Sequence, residues 1–521
     1  MEKVQTPKGT SFLGRFMVLK GALRELWIIF GTKIMSIVAY GLVNSTLVLW
    51  LSKDLNYGDV PAGFMVAVWS ALMTLFTVMV GSLVDAIGIR ISLLIGFGIC
   101  LVARLVMSFF TAPWFVIPAG LLPLALGEAL MVPVMVAAIK RYATTAQRSM
   151  AFSMFYAMMN VGFAISGFIF DKVRTTLGEY GHLTLPASDF SLSTYQTLIL
   201  LGFFFTIPNL LLVWFGIREG IEMGEDGKVR IHKSESKYAG QPVLTAALKS
   251  SADALSEWRR IFMGLWHQPA FYRFLAFLTL VVFVRMIFYH FHYTFPKFGI
   301  RELGEGAPIG QLFGVLNPVL IVILVPLVGA LTQKISAYRV VVFGSLIGAL
   351  SIFFMAMPPV WFQGLADGFL GDLIARKWLG VQTDVVNPLF VSIFFTVVML
   401  SVGEAFFSPR LYEYPAAIAP KGQEASYMSL SMLPYFVAKF FVGPLSGWLL
   451  ATFCPESGPR NSGIMWLIIG LMALVTPIGL FLLRPWIQVQ EAGRDGHEEA
   501  PPAAETAETA ETAETEKTED Q

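Results

Sequence analysis

A helix that crosses a membrane needs about 20 consecutive, mostly apolar residues, and this chain of 521 residues contains about twelve such runs. Lipid offers no water to backbone N–H and C=O groups, so each run must satisfy them internally, as a helix does. Approximate centres are Val38, Leu75, Leu101, Leu126, Val161 and Leu210, then Leu280, Ile323, Leu346, Val397, Phe441 and Leu471. Only 14% of residues are charged and 55% are hydrophobic, against roughly 25% charged in soluble domains. The expected class is an all-α integral membrane protein with 12 transmembrane helices. A formal net charge of +1 points to no nucleic-acid partner. Cys100 and Cys454 lie too far apart to suggest a disulfide framework or a thiolate metal site, and no cofactor or metal is expected.

Positive charge orients the spans. Lys3, Lys8, Arg15, Lys20 and Arg24 precede the first run, Arg90 follows the second, and Lys140, Arg141 and Arg148 follow the fourth. Both termini are therefore expected in the cytoplasm. The first run follows a polar leader and is long enough to span, so it reads as a retained helix and not as a cleaved signal. The longest polar interruption, 218–268, divides the spans six and six. Within it Leu244, Leu248, Leu255, Trp258, Phe262 and Trp266 alternate with Lys249, Arg259 and Arg260, the pattern of a helix lying on the membrane surface. The expected division is a cytoplasmic leader 1–24, a six-helix bundle 25–217, a cytoplasmic linker 218–268, a second bundle 269–486 and an acidic tail 487–521. The Ala-Glu-Thr repeats of the tail cannot bury a core and should be disordered.

An internal repeat marks the centre of the chain. Gly127-Glu128-Ala129 precedes Pro133 in the fourth run, and Gly403-Glu404-Ala405 precedes Pro409 in the tenth. A carboxylate within a span is costly, so Glu128 and Glu404 are functional candidates that require cationic partners. The cations available in the runs are Lys33, Arg104, Arg285 and Lys439. The expected pairs are Glu128 with Lys33 or Arg104, and Glu404 with Arg285 or Lys439; the alternative is a static structural ion pair. The seventh run carries Arg285, Tyr289, His290, His292 and Tyr293. Of these, His290 could exchange protons near neutral pH or hydrogen-bond a substrate, or be a satisfied helix-end histidine, which is how His292 reads. No phosphate-binding glycine loop and no nucleophile–base spacing appears, which argues against an ATP-driven pump and against an enzyme.

Between the second and third runs, residues 81–90 read Gly-Ser-Leu-Val-Asp-Ala-Ile-Gly-Ile-Arg. This G-x-L-x-D-x-x-G-x-R pattern (Gly81, Asp85, Gly88, Arg90) resembles the signature loop of major facilitator superfamily transporters. Glycines there permit a tight turn, and the two charges can latch the halves on the cytoplasmic side. A worn counterpart, Gly329 to Ser336, sits in the second half. Within that superfamily the chain is similar to the proton-coupled oligopeptide transporter branch. The fifth run has Phe152, Phe155, Tyr156, Asn160 and Gly162 at the spacing F-x-x-F-Y-x-x-x-N-x-G, the eighth has Asn317-Pro318, and the tenth has Gly403-Glu404. The resemblance implies two rocking bundles with the substrate between them, and implies that Glu404 engages the amino end of a peptide. The branch's first-helix motif E-x-x-E-R is replaced by Lys33, Ser36 and Ile37, while Tyr40 is kept; Val132 stands where the fourth helix has its lysine.

The expected function is secondary active transport of a small polar solute by alternating access, of the proton-coupled oligopeptide kind. Tyr40, Glu128, Tyr156, Asn160, Arg285, His290 and Glu404 are the candidate substrate and coupling residues. The alternatives are a carrier or efflux pump for a non-peptide metabolite or drug, and a non-transporting membrane sensor or scaffold. The expected partners are the solute, protons and the lipid bilayer, with a monomer as the functional unit in the plasma (inner) membrane.

Overall fold

The computed structural model describes residues 19–184, 191–224, 226–231, 269–332, 335–418 and 433–487, with scattered positions between 241 and 266. The leader before residue 19, the tail after 487 and most of the amphipathic stretch lie outside the described residues. Twelve helices among the described residues are long and apolar enough to cross a membrane. In chain order the first six are α1 (Arg24–Lys53), α2 (Asp59–Ile87), α3 (Ile89–Phe109), α4 (Leu122–Tyr142), α5 (Thr145–Leu177) and α6 (Thr194–Gly216). The second six are α7 (Pro269–Tyr293), α8 (Leu316–Leu331), α9 (Ala337–Ser351), α10 (Leu389–Ile418), α11 (Leu433–Phe453) and α12 (Ser462–Leu482). Each expected centre falls inside its helix. Even helix numbers run toward the end of the molecule that holds α1's start, and odd ones run away from it.

The linker begins with more order than its charged composition suggested. Ile221–Met223 pairs antiparallel with Val229–Ile231, and Gly227, at φ 73°, sits in the turn between them. Arg218 Nε donates to Glu25 Oε1 at 2.6 Å, and Arg24 Nη2 donates to the Gly216 carbonyl at 3.0 Å. These bonds fasten the exit of α6 to the entry of α1.

Helices approach closely where side chains vanish, the usual device of membrane interfaces. The repeated Gly-Glu-Ala segment has this structural meaning in both halves. A Cβ on Gly127 of α4 would stand 2.6 Å from Cys100 Sγ of α3, and one on Gly403 of α10 would stand 2.6 Å from the Gly348 nitrogen of α9. The glycine lets the pair cross tightly, and the glutamate beside it is thereby carried into the interior.

The two bundles meet closely at the end away from α1's start. Gly63 of α2 lies against the Gly443 carbonyl and the Gly447 nitrogen of α11, and Gly167 of α5 lies against Gly310 and Gly314 just before α8. Charged groups close the same end. Asp59 at the start of α2 accepts from Lys297 Nζ at 2.7 Å and from Arg301 Nη2 at 2.8 Å, both on the short helix Phe295–Leu303. Lys53 bridges to Glu456 of the other bundle at 2.5 Å. Asp171 of α5 accepts from the backbone N–H groups of Gly310 (2.8 Å) and Gln311 (2.6 Å). Buried Arg174 is paired with Glu179, and donates to the Ala307 carbonyl across the interface at 3.1 Å.

A short hairpin, His182–Thr184 with Ser191–Ser193, packs on this closed end. Ser193 Oγ donates to Asp54 Oδ2 at 2.7 Å. Burial pushes the Asp54 carboxyl up to about 6, against the opposing pull of the Ser193 hydrogen bond and of His182. Its folded value is above the ordinary one, so hairpin docking is most stable below about pH 4 and weakens as pH rises toward 6. Amide exchange at Ser191 to Ser193, corrected for intrinsic rates, should therefore speed up between pH 4 and 6 and then level off. Asp54→Asn should flatten that dependence.

Candidate substrate site

A cavity of about 160 Å³ lies between the bundles, lined from the first by Tyr156, Asn160 and Ser45 and from the second by His292, Asn317 and Glu404. Aromatic side chains, among them Phe163, Phe288 and Phe313, supply most of the remaining wall. Glu404 reaches it because Gly403 has already drawn α10 against α9. Its main support is an amide and not a cation: Asn317 Nδ2 donates to Glu404 Oε2 at 2.9 Å and to Ser401 Oγ at 3.0 Å. A π-helical turn, Gln311–Val315, immediately precedes α8 and sets the angle at which Asn317 enters. Such turns re-aim side chains in helices and often occur at functional sites. Ser401 stands one helical turn before Glu404, so the two share a face.

The expected partner of Glu404 is thus only partly present. Arg285 of α7 acts on Glu404 electrostatically, and its guanidinium lies 5.9 Å from the Phe288 ring centre and 5.8 Å from that of Phe407. Lys439 turns to the other bundle, where its Nζ donates to Thr74 Oγ1 at 2.6 Å and to the Ser70 carbonyl at 3.2 Å. Its ammonium is 5.7 Å from the Tyr289 ring centre.

In the first bundle Glu128 forms a buried salt bridge with Arg104. Arg104 Nη1 also donates to Thr206 Oγ1 of α6 at 2.8 Å, so three helices share one guanidinium. Lys33, the other expected partner, is 1% exposed and feels the same carboxylate, but its ammonium rests 4.3 Å from the centre of the Phe155 ring. Tyr40 follows two turns later on the same face of α1, stacked on Trp69 at 6.2 Å and edge-on to Phe163 at 6.3 Å. It borders the cavity through Phe163 without lining it.

The structure decides between the two readings of His290 and corrects that of His292. His290 is buried, with Nδ1 2.9 Å from Thr294 Oγ1, and it does not line the cavity. His292 does, with Nδ1 2.7 Å from the Phe288 carbonyl. A carbonyl only accepts, so Nδ1 carries the hydrogen and the neutral ring keeps its lone pair on Nε2. Among the described residues no cluster of His, Cys, Asp and Glu could hold a metal ion. Asn317 and His292 were missed as site residues; Asn317 was visible only as part of the Asn317-Pro318 motif, and His292 only as a polar residue in an apolar run.

The profile of the Major Facilitator Superfamily matches residues 29–375. The chain belongs to that superfamily. Solved structures share its fold at low identity. A POT family transporter in complex with 5-aminolevulinic acid matches with a TM-score of 0.62 and 15% identity, over 89% of this chain and 97% of the other. A POT family transporter bound to a thioalcohol-conjugated peptide matches with a TM-score of 0.63 and 15% identity, over 91% and 100%. A third, from work on substrate recognition in proton-dependent oligopeptide transporters, gives 0.63 and 16% over 89% and 98%. A comparison with curated proteins returned no match.

In this superfamily member, Gly81 and Asp85 fall within the range of α2, but their side chains lie outside the described residues. Gly88 has φ 82°, a left-handed conformation that suits glycine, and it separates α2 from α3. Arg90 Nη2 donates to the Trp214 carbonyl at 2.8 Å and its guanidinium lies 5.5 Å from the Trp214 ring centre. Arg90 thus ties α3 to the end of α6 within the first bundle.

Removing one partner of a buried pair strands the other. Arg104→Ala should lower stability by about 3–5 kcal/mol, read as a loss of thermal unfolding temperature in detergent. The paired replacement of Arg104 and Glu128 by Met and Leu should recover most of that loss. Equal destabilisation by the single and the double variant would show that packing and not charge holds this site.

Proposed function

We propose that this chain is a secondary active transporter that moves a small polar solute by alternating access. The observation that carries the reading is the combination of a cavity shared by both bundles with a polar and glycine seal at the end away from α1's start. Such a seal must break for the cavity to reach the other side, and two rigid bundles hinged about a central site can do this. Positive charge near the termini supports a cytoplasmic location for them. On that orientation the sealed end faces outward.

Glu404 is assigned the coupling role and Tyr156, Asn160, Asn317 and His292 the solute contacts. A carboxylate that must cross an apolar interior is moved at far less cost once protonated. Asn317 can support both forms, donating to the carboxylate from its amide N–H and accepting a hydrogen bond from the acid O–H at its carbonyl oxygen. The POT family structures with bound peptide and 5-aminolevulinic acid support a solute of that size and polarity. Lys33 in the place of a first-helix glutamate supports a departure from simple peptide symport. The unit of function is a monomer in the plasma (inner) membrane. The division into leader, two bundles, linker and tail follows the boundaries given above.

Proteoliposomes with an imposed pH gradient test the coupling. A labelled solute should accumulate with the native protein, and Glu404→Gln should abolish gradient-driven accumulation while leaving counterflow exchange. If Glu404→Gln accumulates solute as the native protein does, Glu404 is not the coupling group.

A further inference from the structure

The polar contacts of the sealed end are charged in opposite ways. Asp59 accepts from two cations, Lys297 and Arg301. Asp171 and Glu179 instead share the single guanidinium of Arg174. This cluster is buried, with Arg174 at 0%, Asp171 at 1% and Glu179 at 2% exposure. Among the described residues no second cation forms an ion pair with either carboxylate. The cluster therefore holds one uncompensated negative charge away from water, which is costly. A proton on one of the carboxylates removes it.

The two carboxylates are not equivalent. Arg174 reaches both oxygens of Glu179, with Nε donating at 3.1 Å. Glu179 also accepts from the Tyr195 hydroxyl of α6 at 2.5 Å and from the Gly306 N–H at 3.2 Å. Asp171 receives one guanidinium bond, at 3.2 Å, and otherwise accepts only from the Gly310 and Gln311 N–H groups. Those amides stand at the entry to the π-helical turn and α8, where a helix leaves its first N–H groups without internal partners. Asp171 of the first bundle thus caps a helix of the second. It lies one turn after Gly167, whose backbone abuts Gly310 and Gly314, so cap and glycine seam share a face of α5.

Asp171 also has its own access to water. A second cavity, of about 620 Å³, is lined by Asp171, Lys172, Gln311, Trp378 and Asn387, and Glu179 does not line it. Gly310, capped by Asp171, lines the central cavity. The capped amides therefore stand between the two cavities. The other ionisable side chains lining the second cavity are Lys172 and Glu305, both exposed and of opposite sign; the segment before α10 contributes none.

Resting on the carrier reading above, we propose that Asp171 is a second proton-binding group of the transport cycle, reached from the 620 Å³ cavity, and that its proton unlocks the seal between α5 and α8. The proton comes from water in that cavity and adds to a carboxylate oxygen. The neutral acid loses the charge that strengthens its bonds to Gly310 and Gln311, and its protonated oxygen becomes a donor facing an N–H. The freed amides take water as the bundles part, and return of the proton to the same cavity restores the cap. Glu404, in the central cavity, keeps the coupling role, and Asp171 sets the pH at which the seal opens.

Double electron–electron resonance tests this in solubilised full-length protein without ligand, with labels at Thr176 on α5 and Gly364 between α9 and α10, both exposed. The ratio of long to short distances should rise from pH 8 to pH 5, by no more than about tenfold per pH unit, the limit for one proton. Asp171→Asn should remove that dependence, and Glu404→Gln should keep it. Glu179→Gln takes a negative charge from beside Asp171 and should move the midpoint to lower pH; it decides the matter if Asp171→Asn does not fold. The inference is overturned if the native ratio ignores pH, if the response survives Asp171→Asn, if Glu404→Gln abolishes it, or if Glu179→Gln leaves the midpoint in place or raises it. The proteoliposome assay above judges the carrier reading separately. Accumulation without this pH response would remove the role of Asp171 and leave the carrier. The pH response without accumulation would leave a proton-opened seal and remove the carrier.

Discussion

Asp59 holds Lys297 and Arg301 of the other bundle at once, and the sealed end of the molecule is organised around that contact. The pair is only partly buried at the carboxylate, with 12% side-chain exposure for Asp59 against 4% for Lys297. Charged hydrogen bonds of this sort outlast neutral ones but can be exchanged for water when the partners separate. The glycine contacts beneath, Gly63 with Gly443 and Gly167 with Gly310, provide the surface that the ion pairs hold shut. A hydrophobic seal with no polar latch would have no driving force to choose one closed end in lipid, where apolar surface gains little from burial.

Below the seal, the two halves solve the same problem in different ways. Both draw a glutamate inward by crossing a glycine tightly against the preceding helix. In the first half the glutamate is neutralised by Arg104 and helps bind three helices together, which suits a fixed structural element. In the second half it is supported by Asn317, a partner that tolerates both protonation states, and it lines the cavity. A common repeat thus carries a buried ion pair on one side and an amide-supported carboxylate that lines the cavity on the other.

The helices were legible because membrane insertion writes itself into composition: all twelve centres lie within helices, and only the approximate ends were open. The repeat was legible too, and it located Glu404. The sequence did not show why the glycine precedes the glutamate, since that depends on which helix crosses it. Pairing was half legible. Arg104 and Lys33 were both on offer for Glu128, and the register of α3 against α4 decided between them. Lys439 could not be assigned to Ser70 and Thr74 from the sequence, because that contact joins positions far apart in the chain and across two bundles. His290 and His292 are two residues apart on a helix, about 200° around the axis, so a periodic pattern without a known cavity direction could not tell which one lines the cavity. The hairpin opening the linker was hidden by its charged residues, which are tolerated on exposed edge strands.

The most direct measurement is the distance distribution across each end by double electron–electron resonance. One spin-label pair would sit at Thr184 and Glu305 on the sealed end, and a second at Lys20 and Arg339 on the opposite end; all four positions are exposed. In native protein the first pair should show a short, narrow distance. Asp59→Asn should add a longer population there and, in the same sample, a shorter one at the Lys20–Arg339 pair. Unchanged distances at both ends with Asp59→Asn, or lengthening at both together, would contradict the claim that this seal governs a rocking of two rigid bundles.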